Sequence, residues 1–148
     1  MKLTSFTDYS LRLLMYVAVN NDRLVSIREV AEVFEISRNH LMKIVHELGK
    51  GGYLKTVRGK NGGFRLGMPA KNINLGKLIR YTEDDLNVVE CFNDKNPSCK
   101  IISQCMLANI LQMALNSFLD VLDGHNLEDL IENLHFPEFI PDKAIGRV

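Results

Sequence analysis

Residues 26–66 read SIREVAEVFEISRNHLMKIVHELGKGGYLKTVRGKNGGFRL. Their first four residues form a capping box, in which the Ser26 hydroxyl and the Glu29 carboxylate each satisfy an unpaired backbone N–H. Apolar residues then recur at helical spacing through Phe34. Ser37 is the expected N-cap of a second helix, which Gly51-Gly52 ends. Two short helices joined by a tight turn predict a helix-turn-helix.

The sequence that follows predicts a β-hairpin. Residues 53–57 and 64–66 have the composition of strands. Between them lies the basic, glycine-rich loop Arg58-Gly59-Lys60-Asn61-Gly62-Gly63. A helix-turn-helix followed by such a hairpin is a winged helix. We therefore expect a mainly α fold: a winged helix-turn-helix with a β-hairpin wing, a cysteine loop and a long C-terminal dimerisation helix.

Helical patterns extend the module on both sides. Residues 5–20 predict a first helix with Thr4 or Ser5 as its N-cap, and residues 73–81 predict a short helix. Polar residues then favour a loop until the helical pattern resumes. The expected organisation is a winged helix-turn-helix DNA-binding domain over 1–81, a cluster-binding cysteine loop over 82–105, a dimerisation helix and a short last helix over 103–134, and an irregular tail over 135–148.

The charge is divided between the two halves of the chain. Residues 1–80 contain 14 Lys and Arg against 6 Asp and Glu, and residues 81–148 contain 4 against 12. The formal net charge is therefore zero although the two halves are oppositely charged. This asymmetry indicates a basic binding module joined to a half with another role.

Composition excludes several classes of protein. The 148 residues are 46% hydrophobic, which is normal for a soluble domain. The apolar run Leu13–Val19 is too short to span a bilayer, and it lacks the features of a signal peptide. We therefore expect a cytoplasmic protein without a membrane partner. No Ser/His/Asp constellation, phosphate loop or catalytic carboxylate pair is recognisable, so an enzyme is not expected.

The recognition helix and the wing carry the candidate DNA contacts. Arg, Asn and Lys at the start of a recognition helix can reach base edges in the major groove, and basic wing residues can contact phosphates or the minor groove. Double-stranded operator DNA is the expected partner, although each side chain alone could be a solvated surface residue. His46 is expected to have a structural role instead. The candidate contacts are Ser37, Arg38, Asn39, His40, Lys43, Arg58, Gly59, Lys60 and Arg65.

The helix predicted over residues 103–123 favours a homodimer. It carries more apolar surface than one small winged helix covers, and a dimer reads a two-fold symmetric operator. Packing within one subunit is the alternative. Together with the basic module, the helix indicates a transcription regulator. Its expected apolar side contains Leu107, Ile110, Leu111, Ala114, Phe118, Val121 and Leu122.

The cysteines Cys91, Cys99 and Cys105 occur within one short segment, and the rest of the chain contains none. Thiols of a reducing compartment are more often metal ligands or redox sensors than disulfides. The spacing Cys-x7-Cys-x5-Cys lacks the short pairs of structural zinc sites and suits an iron–sulfur cluster with one further ligand. Zinc and a thiol redox switch remain alternatives. The fourth ligand could be supplied from outside the protein, or it could be a carboxylate or one of the histidines His40, His46, His125 and His135.

Four motifs resemble one known family. They are Leu3-Thr4-x-x-Thr7-Asp8-Tyr9, Ser37-Arg38-Asn39-His40-Leu41-Met42-Lys43, Val57-Arg58-Gly59-Lys60-Asn61-Gly62-Gly63 and Val89-Glu90-Cys91. In combination they resemble the bacterial iron–sulfur winged-helix regulators of the NsrR/IscR family, in particular the nitric-oxide-sensing NsrR type. The resemblance runs from the first residue to about Leu134.

The resemblance implies a homodimer with one cluster per subunit, held by the three cysteines. In the NsrR type the fourth ligand is an aspartate of the other subunit, which matches Asp8. In the IscR type it is a histidine at the position of Ala108, so that arrangement is not expected. The cofactor is expected to be a 4Fe–4S cluster, with 2Fe–2S also known in the family. A first-turn charge on the helix dipole is the other interpretation of Asp8.

The implied function is a repressor that releases operator DNA when nitric oxide attacks the cluster. The weaker carboxylate bond would be displaced first, which would free the first helix of one subunit from the cysteine loop of the other. A redox- or iron-responsive regulator of the same fold is the alternative. An iron–sulfur electron carrier without DNA binding is a third candidate, but it would not need the basic recognition helix.

Overall fold

The computed structural model describes residues 2–92 and 99–136. Three short 3-10 helices, Ala70–Asn72, Glu90–Phe92 and Ile102–Gln104, lie in the connections. The mainly α winged-helix prediction is confirmed. The main elements in chain order are α1 (Ser5–Val19), α2 (Ile27–Phe34), α3 (Arg38–Lys50), β1 (Leu54–Val57), β2 (Gly63–Leu66), α4 (Leu75–Thr82), α5 (Met106–Asp123) and α6 (Leu127–Ile131).

The predicted caps form the helix-turn-helix. The Ser26 hydroxyl accepts a hydrogen bond from the Glu29 backbone N–H at 3.2 Å, and the Glu29 carboxylate accepts from the Ser26 N–H at 3.3 Å. Glu35 adopts a left-handed conformation with φ 55°, which ends α2 and turns the chain. Ser37 then caps α3 by accepting from the His40 N–H at 3.2 Å. Local sequence therefore determines where both helices begin.

The core lies between α1, the helix-turn-helix and the hairpin. These elements each contribute one apolar face, and burial of such faces is the main source of stability. α3 turns its apolar stripe inward and leaves its opposite face to solvent. The fully buried residues of the core are Leu13, Leu14, Val17, Val25, Val30, Leu41, Ile44, Leu48, Ile73, Leu78 and Leu127.

The wing is an antiparallel hairpin anchored to the core. Leu54 pairs with Leu66 and Val57 pairs with Gly63 at the two ends of the register. Phe64 is buried, and its backbone exchanges hydrogen bonds of 2.8 and 2.9 Å with Val25, just before α2. Two strands alone are marginally stable in water, so this third backbone contact and the Phe64 ring fix the hairpin close to its loop.

A buried polar network joins α1 to α2. The Tyr16 hydroxyl donates to the Glu29 carboxylate at 2.7 Å, and the Arg23 guanidinium forms an ion pair with the same carboxylate. Burial raises the pKa of Glu29, but hydrogen bonds from Arg23, Tyr16 and the Ser26 backbone outweigh burial and lower it overall. Burial, followed by the hydrogen bond to Glu29, raises the pKa of Tyr16 to about 12. The buried, charged carboxylate of Glu29 is thus paired by hydrogen bonds and an ion pair inside the module.

Helix boundaries differ from the prediction by one or two residues at α1 and α4, and by three residues at α5 and α6. α5 begins at Met106 rather than Ser103, because residues 102–104 form a 3-10 turn and Cys105 is the N-cap. α6 ends at Ile131 rather than Leu134, after a single capped turn that begins at Asn126. The later start of α5 brings a cysteine to the first turn of the predicted dimerisation helix.

The C-terminal part of the described chain returns to the N-terminal core. Leu127 of α6 is fully buried there. Phe136, expected in the irregular tail, packs its ring against Tyr16 and Phe34 with centroids 5.2 and 5.5 Å apart. The remainder of the predicted tail, residues 137–148, lies outside the described residues. The last helix is therefore packed on the winged-helix module and not separate from it.

Within residues 2–92 and 99–136, no helix combines the length and the apolar character that crossing a bilayer requires.

Candidate nucleic-acid interface and cysteine site

The recognition helix α3 presents its polar face to solvent. Leu41, Ile44 and Leu48 point into the core, which leaves the opposite side of the helix exposed. The predicted contacts Ser37, Arg38, Asn39 and Lys43 are all exposed. His46 is exposed as well, so it does not have the structural role expected for it.

A groove runs along the start of this helix and brings several predicted contacts together. Its volume is about 590 Å³. The half-buried His40 lies at its base, where its ring packs edge-on against Tyr9 of α1 with centroids 5.1 Å apart. The groove therefore has α1 as one wall and the recognition helix as the other. Its lining is Phe6, Ser37, Asn39, His40, Lys43, His46 and Glu47.

The loop of the wing extends its basic residues into solvent. Arg58, Gly59 and Lys60 are exposed, and Arg65 is exposed on β2. Gly59 has φ 117°, a conformation that L side chains rarely adopt. Of the three loop glycines, only Gly59 has a positive φ; Gly62 is required instead because a Cβ would lie 2.3 Å from the Val57 carbonyl oxygen. The wing thus presents the three predicted cations, and Lys55 of β1 beside Arg65, next to a tightly turned backbone.

One acidic residue lies beside Arg38, a predicted DNA contact of α3, and sequence reasoning missed it. Glu32 of α2 accepts a hydrogen bond from Arg28 Nε at 2.8 Å, and the same carboxylate oxygen lies 4.0 Å from Arg38 Nη2. The spacing of Arg28 and Glu32 at i and i+4 predicts their pair. No sequence pattern indicates the contact from α2 to the first residue of α3.

The three cysteines are free thiols, and each is partly buried. Cys91 lies in the 3-10 helix Glu90–Phe92, and Cys99 follows a segment outside the described residues. Cys105 caps α5, where its Sγ accepts a hydrogen bond from the Ala108 N–H at 3.4 Å. The sulfur of Cys105 therefore lies at the start of the long helix, in contact with the backbone of its first turn.

The donor set fits an iron–sulfur cluster in kind but lacks one ligand. Clusters are held by thiolates, and this segment supplies three of the four required. Within the single chain, across residues 2–92 and 99–136, no three or more His, Cys, Asp or Glu side chains are grouped to hold a metal ion. A complete site therefore needs a rearrangement of the cysteine segment and a donor from elsewhere.

Asp8, the predicted fourth ligand, lies in the first turn of α1. Its carboxylate is about half exposed and forms an ion pair with Arg12 at 2.9 Å, with a second contact to Arg12 Nε at 3.1 Å. The Arg12 guanidinium also lies over the Tyr9 ring, 5.9 Å from its centroid. The carboxylate is therefore accessible, but a cation of the same helix occupies it.

The beginning of α1 is tied to the segment that leads toward the cysteines. Glu83, just after α4, accepts from the Thr4 backbone N–H at 2.8 Å and from the Thr4 hydroxyl at 3.1 Å. The buried Thr7 hydroxyl donates to the Thr82 hydroxyl at 2.9 Å. These hydrogen bonds join residues more than 70 positions apart, so no local motif could have revealed them.

The predicted dimerisation helix α5 exposes half of its apolar side chains. Only Leu115 is buried, whereas Met113 is 69% and Ile110 is 54% exposed. Leu107 and Val121 of the predicted apolar side are exposed, but Leu111, Phe118 and Leu122 are partly buried. A contiguous exposed apolar stripe is typical of a contact surface.

Comparison with known proteins gives three concordant results. The family model described as Rrf2, iron-dependent transcriptional regulator, matches residues 3–133. Two curated relatives, both named HTH-type transcriptional regulator NsrR, come from Bacillus licheniformis and Bacillus subtilis. They are 52% and 48% identical over 134 residues, which cover 90% of this chain and 94% and 92% of theirs.

A solved structure agrees with the fold. CymR (YrzC), the global cysteine regulator of B. subtilis, superposes with a TM-score of 0.74 at 25% identity. The match covers 91% of this chain and 99% of that one. The likeness therefore includes the long C-terminal helix as well as the winged helix.

Proposed function

The chain belongs to the Rrf2 family of transcriptional regulators, within its NsrR group, and we propose that it represses genes through an iron–sulfur cluster that senses nitric oxide. Its named relatives are transcriptional regulators, which makes the chain a regulator and not an enzyme.

One observation carries the link between a cluster and DNA binding. Cys105, a proposed ligand, is the N-cap of α5, and α5 exposes the apolar stripe proposed to join two subunits. A change at the Cys105 sulfur therefore acts on the first turn of the dimer helix. At its other end, α5 is joined to α4 of the DNA-binding module by an ion pair between Arg80 and Asp123.

The proposed ligands are Cys91, Cys99 and Cys105 of one subunit and Asp8 of the partner subunit. Three thiolates and one carboxylate suit a 4Fe–4S cluster, and a 2Fe–2S cluster is the alternative. When bound, the cluster supplies iron that reacts with nitric oxide. Carboxylate oxygen is the weakest donor of the set, so Asp8 is the ligand that this chain gives up most readily.

Arg12 provides an alternative partner for Asp8. An exposed i, i+4 ion pair contributes only about 0.3–0.5 kcal/mol, so ligation can replace it at small cost. If Asp8 were released from a cluster, its carboxylate would form the ion pair with Arg12 again. The same side chain can thus exist in a ligating and a non-ligating arrangement without leaving an unpaired carboxylate.

The path from α1 to the recognition helix is short. Tyr9 follows Asp8 directly, and its ring contacts His40 in the first turn of α3. A shift of α1 therefore reaches the recognition helix through packed side chains. In the proposed DNA complex Arg38, Asn39 and Lys43 face the major groove.

The other proposed DNA contacts have separate roles. The Ser37 hydroxyl caps α3 and sets the position of the helix N-terminus, while the wing residues Arg58, Lys60 and Arg65 contact phosphates, with Gly59 permitting close approach. Neutralised phosphates release counterions, so DNA binding should weaken steeply with salt.

Anaerobic purification tests the proposal directly. Iron and sulfide analysis, with an absorption spectrum, measures whether the cluster is present and whether it is 4Fe–4S or 2Fe–2S. Binding of the loaded and the cluster-free dimer to a duplex selected from random sequences then measures the effect of the cluster. We expect the loaded protein to bind far more tightly; near-complete switching requires a difference of roughly 10⁴-fold. Equal affinities would reject cluster control.

A redox- or iron-responsive regulator is the second candidate, and the description of the matching family as iron-dependent favours it. A reductant and an iron chelator, each added to the loaded protein without nitric oxide, separate the two functions. Release of DNA under either treatment, together with no release by nitric oxide, supports the second candidate. The electron-carrier candidate receives no support from the named relatives.

A further inference from the structure

The acidic side chain Glu32 lies on the face of α2 that adjoins the recognition helix. Its side chain is 44% exposed, and one of its oxygens faces both Arg28 and Arg38. The partners come from two elements: Arg28 from the first turn of α2 and Arg38 from the first turn of α3. A single carboxylate thus lies between two of the cations closest to the proposed DNA surface.

Most other acids described in the basic module have partners of their own, although Glu47 also lines the groove beside α3. Glu29 is buried with Tyr16 and Arg23, Glu47 pairs with Lys50 at the end of α3, and Asp8 pairs with Arg12. Glu32 is the acid that approaches a proposed base-reading residue. Because a carboxylate repels phosphate, its presence there weakens general attraction to DNA.

We propose that Glu32 is a specificity-determining residue that holds Arg38 until a base edge replaces the carboxylate. The inference rests on the proposed DNA-binding role. The Arg38 side chain is 61% exposed, and its Nη2 lies 4.0 Å from Glu32 Oε1, so the contact is weak enough to exchange. The edge of a guanine presents O6 and N7, which accept hydrogen bonds from two N–H groups of the guanidinium at once. A mismatched site presents phosphates but not this pair of base acceptors.

This arrangement acts on nonspecific binding more than on specific binding. On a mismatched duplex, Arg38 stays with Glu32, and its charge is not available to phosphates. On the matching duplex, Arg38 leaves Glu32, while the Arg28 hydrogen bond at 2.8 Å keeps the carboxylate paired. Glu32 therefore raises the ratio of specific to nonspecific affinity, a form of discrimination that relies on a repulsive element.

The test uses Glu32→Gln in the full-length protein, purified anaerobically. Two duplexes of equal length are compared: one selected by the wild-type protein from random sequences and one with that sequence scrambled. We expect the variant to bind the scrambled duplex roughly three- to tenfold more tightly, with a salt slope steeper by about 0.9 for each additional phosphate that the variant neutralises. Affinity for the selected duplex should change less, so the specificity ratio falls.

Two further variants make the result decisive. Glu128→Gln removes the same charge from the exposed surface of α6 and should leave the specificity ratio unchanged. Glu32→Gln in an Arg38→Gln background should have no further effect on that ratio, because Glu32 is proposed to act through Arg38. Thermal unfolding by circular dichroism verifies that each variant folds.

The outcomes separate this inference from the proposed function. If the wild-type protein shows no salt-dependent DNA binding, the proposed function fails, and the inference fails with it. If the wild type discriminates between the duplexes but Glu32→Gln keeps the same ratio, only the inference is overturned. An equal effect of Glu128→Gln would also overturn it, since net charge alone would then explain the change.

Discussion

Arg80 and Asp123 form a two-pronged ion pair, with Nη1–Oδ1 at 2.6 Å and Nη2–Oδ2 at 2.7 Å. The pair joins α4, at the end of the DNA-binding module, to the last residue of α5. The hydrogen bonds from Arg80 hold the pKa of Asp123 below its ordinary value. Asn74, the N-cap of α4, also donates to the Asp123 carbonyl oxygen at 2.7 Å. The C-terminal end of the proposed dimer helix is therefore fixed to the module.

Gly76 makes this junction sensitive to a single methyl group. A Cβ at Gly76 would lie 1.9 Å from Asp123 Oδ1, whereas a Cβ at Gly49 of α3 would meet nothing within 4 Å. Ala is favoured over Gly in a helix by about 0.5–1 kcal/mol, so Gly49→Ala should raise the melting temperature. Gly76→Ala should give no such increase, because Asp123 must leave Arg80. Equal stabilisation in thermal unfolding would contradict this account of the junction.

Tyr16 satisfies a buried charge. Tyr16→Phe removes the donor that lies 2.7 Å from the Glu29 carboxylate, whose side chain is only 4% exposed. We expect the free energy of unfolding in urea to fall by about 1–3 kcal/mol, the cost of an unsatisfied buried group. Tyr9→Phe is the matched control, since Tyr9 contacts His40 and Arg12 through its ring. A similar loss in both variants would show that the Glu29 network is not the cause.

The same network predicts how stability depends on pH. The pKa of Glu29 is lower in the folded state than its ordinary value of 4.5. Its contribution to stability is therefore present above pH 4.5 and is lost as pH falls through the folded pKa. Tyr16 has its pKa raised from 10.0 to about 12, so its contribution is present below pH 10.0 and is lost as pH rises through about 12.

Urea unfolding across acidic pH measures the Glu29 part of this dependence. Glu29→Gln should be less stable at neutral pH and should lose less stability on acidification than the wild type. Its residual slope would come from carboxyl groups such as Asp123 and Asp129, whose pKa values are also lowered. Parallel curves for the variant and the wild type would refute the role assigned to Glu29.

Cys105 combines two roles that one substitution can separate. Serine is a good N-cap but a poor cluster ligand, so Cys105→Ser should retain the start of α5 and lose the cluster. We expect iron and sulfide to fall to background while the helical circular dichroism of the cluster-free protein is unchanged. Cys105→Ala should lose the cap as well and melt at a lower temperature. Full iron content in Cys105→Ser would exclude this sulfur as a ligand.

The exposed stripe of α5 predicts that a charge will separate the subunits. Ile110→Glu would place a carboxylate in the proposed apolar interface, and we expect sedimentation to show a monomer with weaker DNA binding. Asn116→Glu is the control, because Asn116 is exposed and hydrogen-bonded to Gln112 at 3.0 Å outside the stripe. A dimeric Ile110→Glu, or a monomeric Asn116→Glu, would argue against this face as the interface.

The winged helix could be predicted because its signals are local. Ser26, Glu29 and Ser37 act on backbone groups three positions away, and the loop glycines lie inside the turn that they permit. The hydrogen bonds between Thr4 and Glu83, and between Arg80 and Asp123, link residues 79 and 43 positions apart. The periodic spacing of apolar residues gives no information about contacts between residues so far apart in the sequence. These junctions are therefore seen only in the structure.

The candidate site is predictable only where its signals are local in the sequence. The exposed recognition residues follow from the helix period, whereas the predicted start of α5 is three residues early because cysteine is not among the usual N-cap residues. The ligand set stays a prediction, since its proposed members come from two subunits. Asp8 pairs with Arg12, a contact that the i, i+4 spacing does predict.

The central claim is that nitric oxide acting on the cluster controls DNA binding. Its most direct test adds nitric oxide stepwise to the anaerobic, cluster-loaded dimer while cluster absorbance and the fluorescence anisotropy of a labelled, selected duplex are recorded together. The account predicts that the duplex is released in step with the change in cluster absorbance, down to the affinity of Cys105→Ser. An operator affinity that stays the same in loaded, nitric-oxide-treated and cluster-free protein would contradict it.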